Sequence, residues 1–157
     1  MNWNVYLSGE IHTDWRQRIK DQCGAHGLPV TFTSAVTDHE ASDSAGDVLG
    51  AEDNNFWRDH KSAKVNAIRT KTLIENCDLA VVRFGDKYKQ WNAAFDAGFC
   101  AASGKPYITL HDENIIITPL GIGFELKLLD MFQWGKPSAA NIRQDVVDLV
   151  QIFYTVL

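Results

Sequence analysis

Short apolar runs alternate with amphipathic stretches along most of the chain, which predicts alternating strands and helices. Residues 3–8 (WNVYLS) and 29–35 (PVTFTSA) have the composition of strands. Residues 78–84 (DLAVVRF) form a continuous apolar and β-branched run, typical of a strand that a parallel sheet buries on both faces. Residues 106–111 (PYITLH) predict a further strand. We therefore expect four strands, with residues 78–84 at the centre of the sheet.

Helices are predicted between these strands. The first begins near Asp14, which suits an N-cap, and ends at Ala25 before Gly27. A second spans residues 56–76 and ends at Cys77, with small or apolar side chains at helical spacing: Ala63, Ala67, Thr70 and Ile74. A third spans residues 91–103. Six small residues would let this third helix pack closely on the sheet: Ala93, Ala94, Ala97, Gly98, Ala101 and Ala102.

Other segments fall outside this alternation. Residues 36–55 are rich in Asp, Ser and Gly and are too long for a simple connector, so we expect a functional flap. Residues 112–134 are compatible with a short helix and an edge strand. Residues 138–154 predict a closing helix with one apolar face: Ile142, Val146, Leu149 and Phe153.

The chain of 157 residues is long enough for one domain with its own core, and it shows no internal repeat. Strand and helix alternation predicts an α/β fold: a three-layer, open, mostly parallel sheet, Rossmann-like or flavodoxin-like, with helices on both faces. Ligands bind such sheets beyond the carboxyl ends of the strands. We therefore expect a single domain over residues 1–157 with its site at that edge.

Charge and cysteine content narrow the classes of function. Fifteen Lys and Arg against twenty Asp and Glu give a net charge of -5, which argues against a nucleic-acid polymer as partner. Cys23, Cys77 and Cys100 lie among apolar or small residues, typical of buried thiols in a reducing compartment. The N-terminal residues lack a signal-peptide pattern, and no apolar run is long enough to span a membrane. We expect a cytoplasmic protein with no membrane partner.

The carboxyl-end rule selects two polar segments, SGEIHTDWR (residues 8–16) and FGDKYKQWN (residues 84–92). Ser8 and Gly9 leave the backbone free to approach a ligand. Four polar residues then crowd a helix start whose amides favour anions: Glu10, His12, Asp14 and Arg16. The alternative is helix capping with solvated charges. Neither a G-x-G-x-x-G fingerprint nor a Walker loop is present, so a smaller ligand than a dinucleotide or a nucleoside triphosphate is expected.

Asp96 is the strongest candidate for chemistry. It falls in the second turn of the predicted third helix, with Asn92 four residues earlier on the same face. The helix N-terminus favours an ionised carboxylate unless the group is strongly desolvated, which suits a nucleophile better than a proton donor. The alternative is a surface acid that interacts only with the helix dipole.

Other residues near these segments have two interpretations each. Trp15, Tyr88 and Trp91 could stack on a planar base, or they could be packing residues. Arg69 and Arg83 could bind a phosphate or pair with a carboxylate.

The residues YLSGEIHTDWR, CDLAVVRF and DAGFCAASGKP together resemble the nucleoside 2-deoxyribosyltransferase family, and especially its YtoQ-like branch. The resemblance covers roughly residues 3–111 and implies one such domain. In that family a carboxylate two residues before a glycine, on the helix that precedes Gly-Lys-Pro, attacks the sugar C1′ and becomes glycosylated. The matching residue here is Asp96, followed by Gly98.

The resemblance implies further roles around Asp96. Glu10 is the second catalytic candidate: it or His12 would orient sugar hydroxyls or assist protonation of the leaving base. Ser8, Gly9 and Asn92 would line the sugar site, while Asp78 would fix strand and loop geometry or bond a sugar hydroxyl. The full set expected to bind substrate is Ser8, Gly9, Ile11, His12, Trp15, Asp78, Arg83, Phe84, Tyr88, Trp91 and Asn92. No metal or organic cofactor is implied, and a homo-oligomer, at least a dimer, is expected.

This sequence departs from the family pattern in two places. The usual nucleophile is Glu, and the typical Asp-x-Gly-Thr ahead of the helix is replaced by residues 90–93 (QWNA). An Asp reaches about one methylene less far, and a displacement of about 1 Å can lower a rate about a hundredfold. Three functions stay open: a deoxyribosyltransferase or N-glycosidase with a covalent intermediate, a non-catalytic nucleoside or nucleotide binding module, and an interaction protein that uses residues 36–55.

Overall fold

A computed structural model describes residues 2–85 and 90–111. The predictions for residues 112–134 and 138–154, and the role of Tyr88, lie outside these residues. The described strands are β1 (Trp3–Gly9), β2 (Val30–Ser34), β3 (Leu79–Phe84) and β4 (Tyr107–His111). The described helices are α1 (Trp15–Ala25), α2 (His39–Asp43), α3 (Asn55–Asn76) and α4 (Trp91–Ala102), with a short 3-10 helix (Asp47–Leu49) between α2 and α3.

The four strands form one parallel sheet in the order β2-β1-β3-β4. The predicted α/β fold is confirmed, and β3 occupies the central position expected from its apolar run, with Ala80, Val81 and Val82 fully buried. After β1 the chain forms β2 on one side of β1, and it then crosses to the other side of β1 to form β3. The carboxyl ends of β1 and β3 therefore border the point where the strand order reverses, which is where open α/β sheets bind ligands.

A separate hydrophobic core covers each face of the sheet. On one face, α1 contributes Trp15, Ile19 and Cys23, which pack on side chains of β1, β3 and β4. On the other face, Ile74 of α3 and Cys100 of α4 pack on Tyr6 and Ala80. The helices thus form two outer layers around the sheet, as predicted, and Cys23, Cys77 and Cys100 are all buried, free thiols.

The helix ends agree with the sequence pattern except in one detail. Asn54 caps α3, because its side-chain oxygen accepts a hydrogen bond of 2.7 Å from the Phe56 amide. Asp14 stands at the N-cap of α1, but its side chain makes no capping bond. Gly27 has a φ of 62°, as expected for a glycine after a helix end.

Helix α4 buries a narrower face against the sheet than its six small residues predict. Ala93, Asp96 and Cys100 are buried and lie on one side of the helix, whereas four of the small residues are exposed: Ala94, Gly98, Ala101 and Ala102. The prediction that all six pack on the sheet is wrong, because a helix on a flat sheet buries only one stripe.

The segment 36–55 is attached to α3 by side-chain hydrogen bonds. The buried Ser62 hydroxyl donates to the Asp43 carbonyl at 2.7 Å and accepts from the Gly46 amide at 3.0 Å. Asn66 binds the Ser42 carbonyl at 3.0 Å and its hydroxyl at 3.1 Å. These bonds explain how a polar segment with little apolar surface holds a defined position.

In the part of the chain that the structure describes, no helix is both long and apolar enough to cross a membrane.

Candidate active site

The carboxyl ends of β1 and β3 meet through Gly9. Its φ is 99°, and a Cβ at this position would lie 1.9 Å from the Arg83 carbonyl oxygen. The next amide, that of Glu10, donates to the same oxygen at 3.0 Å. Only glycine satisfies both the positive φ and the close approach, so Gly9 sets the geometry of the strand ends.

Arg16 holds the chain on both sides of Ser8. Its buried guanidinium donates to the carbonyls of Leu7 at 3.4 Å and Gly9 at 3.0 Å, and also to the carbonyl of Glu10. Burial lowers the pKa of Arg16 to about 10, so the group stays charged at neutral pH. The sequence suggested a solvated charge or an anion site, whereas these bonds make Arg16 a structural clamp on the end of β1.

The clamp places Ser8 against Asp96. The Ser8 hydroxyl donates a hydrogen bond to the Oδ2 atom of Asp96, and both side chains are buried. Burial raises the pKa of Asp96, and the hydrogen bond from Ser8 opposes that rise. Desolvation therefore outweighs the Ser8 hydrogen bond, and strong desolvation was the exception attached to the prediction of an ionised carboxylate.

Tyr6 is a site residue that the sequence interpretation missed. It lies two residues before Ser8, so both side chains point to the same face of β1. Burial raises its pKa and the neighbouring Asp96 adds to the rise, while Thr70 of α3 acts in the opposite direction. No described residue, Thr70 and Asp96 included, makes a hydrogen bond of ordinary geometry with the Tyr6 hydroxyl. The alternation of side chains along β1 was the signal that could have identified Tyr6.

Cys100 follows Asp96 by one helical turn, but it is not a competing nucleophile. Burial raises the pKa of its thiol to about 12, and the nearby Cys77 and Asp96 reinforce that rise. A thiol must lose its proton to attack, so Cys100 is inert at neutral pH.

A pocket of about 570 Å³ opens beside Asp96, between α3 and α4. Asn92 and Asp96 both line it, as their four-residue spacing predicted. The opposite wall comes from α3, where Ala63 and Ala67 of the predicted helical spacing line the open space. The volume lies within the range of about 300–1,000 Å³ typical of small-molecule sites.

The Glu10 carboxylate is engaged by its own loop. It accepts hydrogen bonds from the His12 amide and, at 2.6 Å, from the Thr13 hydroxyl. Burial raises the pKa of Glu10, but the bonds from Thr13 and His12, with the charge of Arg83, bring it below its ordinary value. The His12 ring is exposed and its centroid lies 5.8 Å from that of His39. Catalytic roles for Glu10 and His12 stay predictions.

Two residues predicted to contact substrate make structural contacts in the fold. Trp15 is 1% exposed in the core of the α1 face, and its indole donates to the Glu10 carbonyl at 2.8 Å, so its ring packs and has no face open to a base. Asp78 precedes β3 at the amino edge of the sheet, where its carboxylate accepts from the Asn4 amide at 2.8 Å. Asp78 therefore joins two strands, which is the first of the two roles expected for it, and a bond to a sugar hydroxyl stays a prediction.

The remaining predicted residues lie at or near the carboxyl edge. Arg83 is buried at the end of β3, beside the half-buried Phe84. Ile11 is half-buried after β1, and Trp91 is exposed at the first position of α4. Their contacts with a substrate stay predictions.

Comparison with known proteins connects this chain to a family. The family described as nucleoside 2-deoxyribosyltransferase YtoQ matches residues 6–121. The uncharacterized protein YtoQ of Bacillus subtilis (strain 168) is 40% identical over 116 residues, which cover 73% of this chain and 78% of that protein. A solved 2-deoxyribosyltransferase from Bacillus psychrosaccharolyticus aligns over 73% of this chain and 77% of its own, with a TM-score of 0.43 and 18% identity. The family match and the identity to YtoQ show that the chain belongs to the nucleoside 2-deoxyribosyltransferase YtoQ family.

Proposed function

We propose that the protein transfers or hydrolyses the glycosyl group of a nucleoside or nucleotide, with Asp96 as the nucleophile. The observation that supports this best is a buried carboxylate, hydrogen-bonded to Ser8, that lines a pocket between α3 and α4. Burial keeps the carboxylate poorly solvated and therefore more reactive once it is ionised. Membership of the YtoQ family adds support for a nucleoside-type substrate.

The reaction has two displacement steps. A carboxylate oxygen of Asp96 bonds to C1′ of the sugar while the C1′–N bond breaks, and its electron pair leaves with the base, which takes up a proton. A second base or a water molecule then attacks C1′, loses a proton, and the ester bond to Asp96 breaks to restore the carboxylate. Ser8 holds the nucleophile in place, and Asn92 on the same helical face lies where it can contact the sugar.

Mass spectrometry of the intact protein tests this proposal. Wild type is incubated briefly with a mixed pool of deoxyribonucleosides and their 5′-monophosphates and compared with Asp96→Asn. We expect a sugar-sized adduct and released base with wild type only. Asp21→Asn, an exposed acid on α1, is the matched control and should still form the adduct. The absence of both adduct and base release with every substrate would contradict the proposal.

A non-catalytic binding module is the second candidate. It is favoured by the short side chain of Asp96, whose Oδ2 is engaged by Ser8 where the resembled family has a Glu. In that case a nucleoside would bind with its sugar intact, and no exchange of bases would be detected in the same incubation.

A further inference from the structure

The wall of the pocket opposite Asp96 carries positive charge. Arg69 and Lys71 of α3 line this pocket, and Asp96 is the single carboxylate among the described residues around it. A pocket with two cations and one acid favours a substrate that carries negative charge.

The two cations differ in what they already bind. Lys71 pairs with Glu75 on its own helix, with 2.5 Å between nitrogen and oxygen. Arg69 donates to the Asn66 side-chain oxygen at 3.2 Å, and no carboxylate within residues 2–85 and 90–111 forms an ion pair with it. The guanidinium of Arg69 is thus oriented by a neutral partner while its charge remains available.

Arg69 shares the pocket with the reacting group. Its neighbour Thr70 and the Asp96 carboxylate both lie close enough to the buried Tyr6 hydroxyl to shift its pKa, Thr70 downward and Asp96 upward. Thr70, Asp96 and Arg69 all line the same pocket. A sugar held with C1′ at Asp96 would therefore extend its far end toward α3.

From this arrangement we infer that Arg69, oriented by Asn66, binds the 5′-phosphate of the substrate. The inference rests on the proposed function and deepens it: the preferred substrate is a nucleoside 5′-monophosphate. Arg suits this task because its planar guanidinium can donate two parallel hydrogen bonds to phosphate oxygens. The exposed position of Arg69 leaves the outer phosphate oxygens in contact with water, so the dianion keeps part of its hydration.

Kinetics with paired substrates test the inference. The value of kcat/KM is measured for a 2′-deoxynucleoside and for its 5′-monophosphate with wild type, Arg69→Gln and Arg18→Gln. Arg18 is an exposed arginine on α1, on the opposite face of the sheet, and serves as the matched control. We expect Arg69→Gln to lower kcat/KM about 10- to 100-fold for the monophosphate, with the nucleoside nearly unaffected. An equal loss for both substrates would overturn the inference.

A binding measurement separates this inference from the proposed chemistry. Thermal unfolding is followed with 2-deoxyribose 5-phosphate or 2-deoxyribose at equal concentration. The phosphorylated sugar should raise Tm in wild type and Arg18→Gln but not in Arg69→Gln, and the free sugar should raise it in none. That pattern without any turnover would support the phosphate site while contradicting the proposed function. An equal rise in Arg69→Gln, or no rise in any protein, would refute the phosphate site.

Discussion

The Ser8 hydroxyl donates a hydrogen bond to the Asp96 carboxylate, although 88 positions of the sequence separate the two residues. The bond joins the end of β1 to the second turn of α4 across the crevice where the strand order reverses. Gly9 and Arg16 fix the backbone on which Ser8 stands. The nucleophile candidate is therefore positioned by elements that are distant in the sequence.

Replacing Asp96 by Asn should stabilise the protein at neutral pH. Burial raises the pKa of Asp96, so the folded state holds its proton more tightly than the unfolded state. Above the folded-state pKa of Asp96 the free energy of unfolding is lowered by the full cost of burying the charge. Below the unfolded-state pKa of about 4 this cost is absent. We expect Asp96→Asn to raise Tm by a few degrees at pH 7 and to match wild type in acid.

Thermal unfolding at several pH values measures this difference. Asp21→Asn is the control and should show no comparable gain, since Asp21 is exposed. A gain for Asp96→Asn that stays constant from acid to neutral pH would be inconsistent with a raised pKa.

Replacing Ser8 by Ala should raise the pKa of Asp96 further. The Ser8 hydrogen bond stabilises the ionised carboxylate, and its removal leaves desolvation unopposed. In the proposed mechanism the nucleophile must be ionised, so activity should fall as pH decreases through this pKa, and the acid limb of the pH–rate profile should move to higher pH. The rate at neutral pH should fall up to about tenfold.

Carbon NMR of the Asp96 carboxyl group measures the pKa of this group directly, without an activity assay. Ser103→Ala is a suitable control, because this exposed serine directly after the same helix bonds to the Phe99 carbonyl instead. An unchanged Asp96 titration in Ser8→Ala would show that the hydrogen bond does not control its pKa.

Replacing Gly9 by Ala should destabilise the fold by at least about 2 kcal/mol. The new Cβ would meet the Arg83 carbonyl oxygen at 1.9 Å, and the φ of 99° is strained for alanine. Gly24→Ala is the matched control: the added Cβ has no neighbour within 4 Å, and the helix should gain about 0.5–1 kcal/mol. Urea denaturation measures both variants, and a similar result for the two would be evidence against the close approach of β1 and β3.

Replacing Ser62 by Ala should loosen the segment 36–55. The change removes the bond to the Asp43 carbonyl and leaves the Gly46 amide without its buried acceptor, a loss of about 1–3 kcal/mol. We expect faster amide hydrogen exchange in this segment, with exchange in α1 unchanged.

Thr72→Ala is the control for this variant, because the Thr72 hydroxyl bonds to the Ile68 carbonyl of its own helix. Equal acceleration of exchange throughout the chain would mean that Ser62 supports the whole fold instead of this segment.

The strands and helices were predicted from local patterns of apolar residues in the sequence. Apolar runs and helical spacing identified the four strands and the three long helices that the structure describes, and the β-branched run at residues 78–84 identified the central strand. The short helix α2 was missed, because its five residues are mostly polar and have no apolar period. The Asp38 carboxylate caps this helix by accepting a hydrogen bond of 2.7 Å from the Ala41 amide, and the Asn66 side chain of α3 donates a hydrogen bond to the Ser42 carbonyl.

By itself, then, the sequence determined the type and order of the strands and long helices, and it identified Asp96 and Asn92 as neighbours on one helical face. These properties depend on residues a few positions apart. The tertiary structure decided that Ser8 and Tyr6 lie against Asp96, that Arg16 is a buried clamp, and that burial raises the pKa of Asp96. Strand order and solvent exclusion set these properties, because both arise only when distant segments pack together.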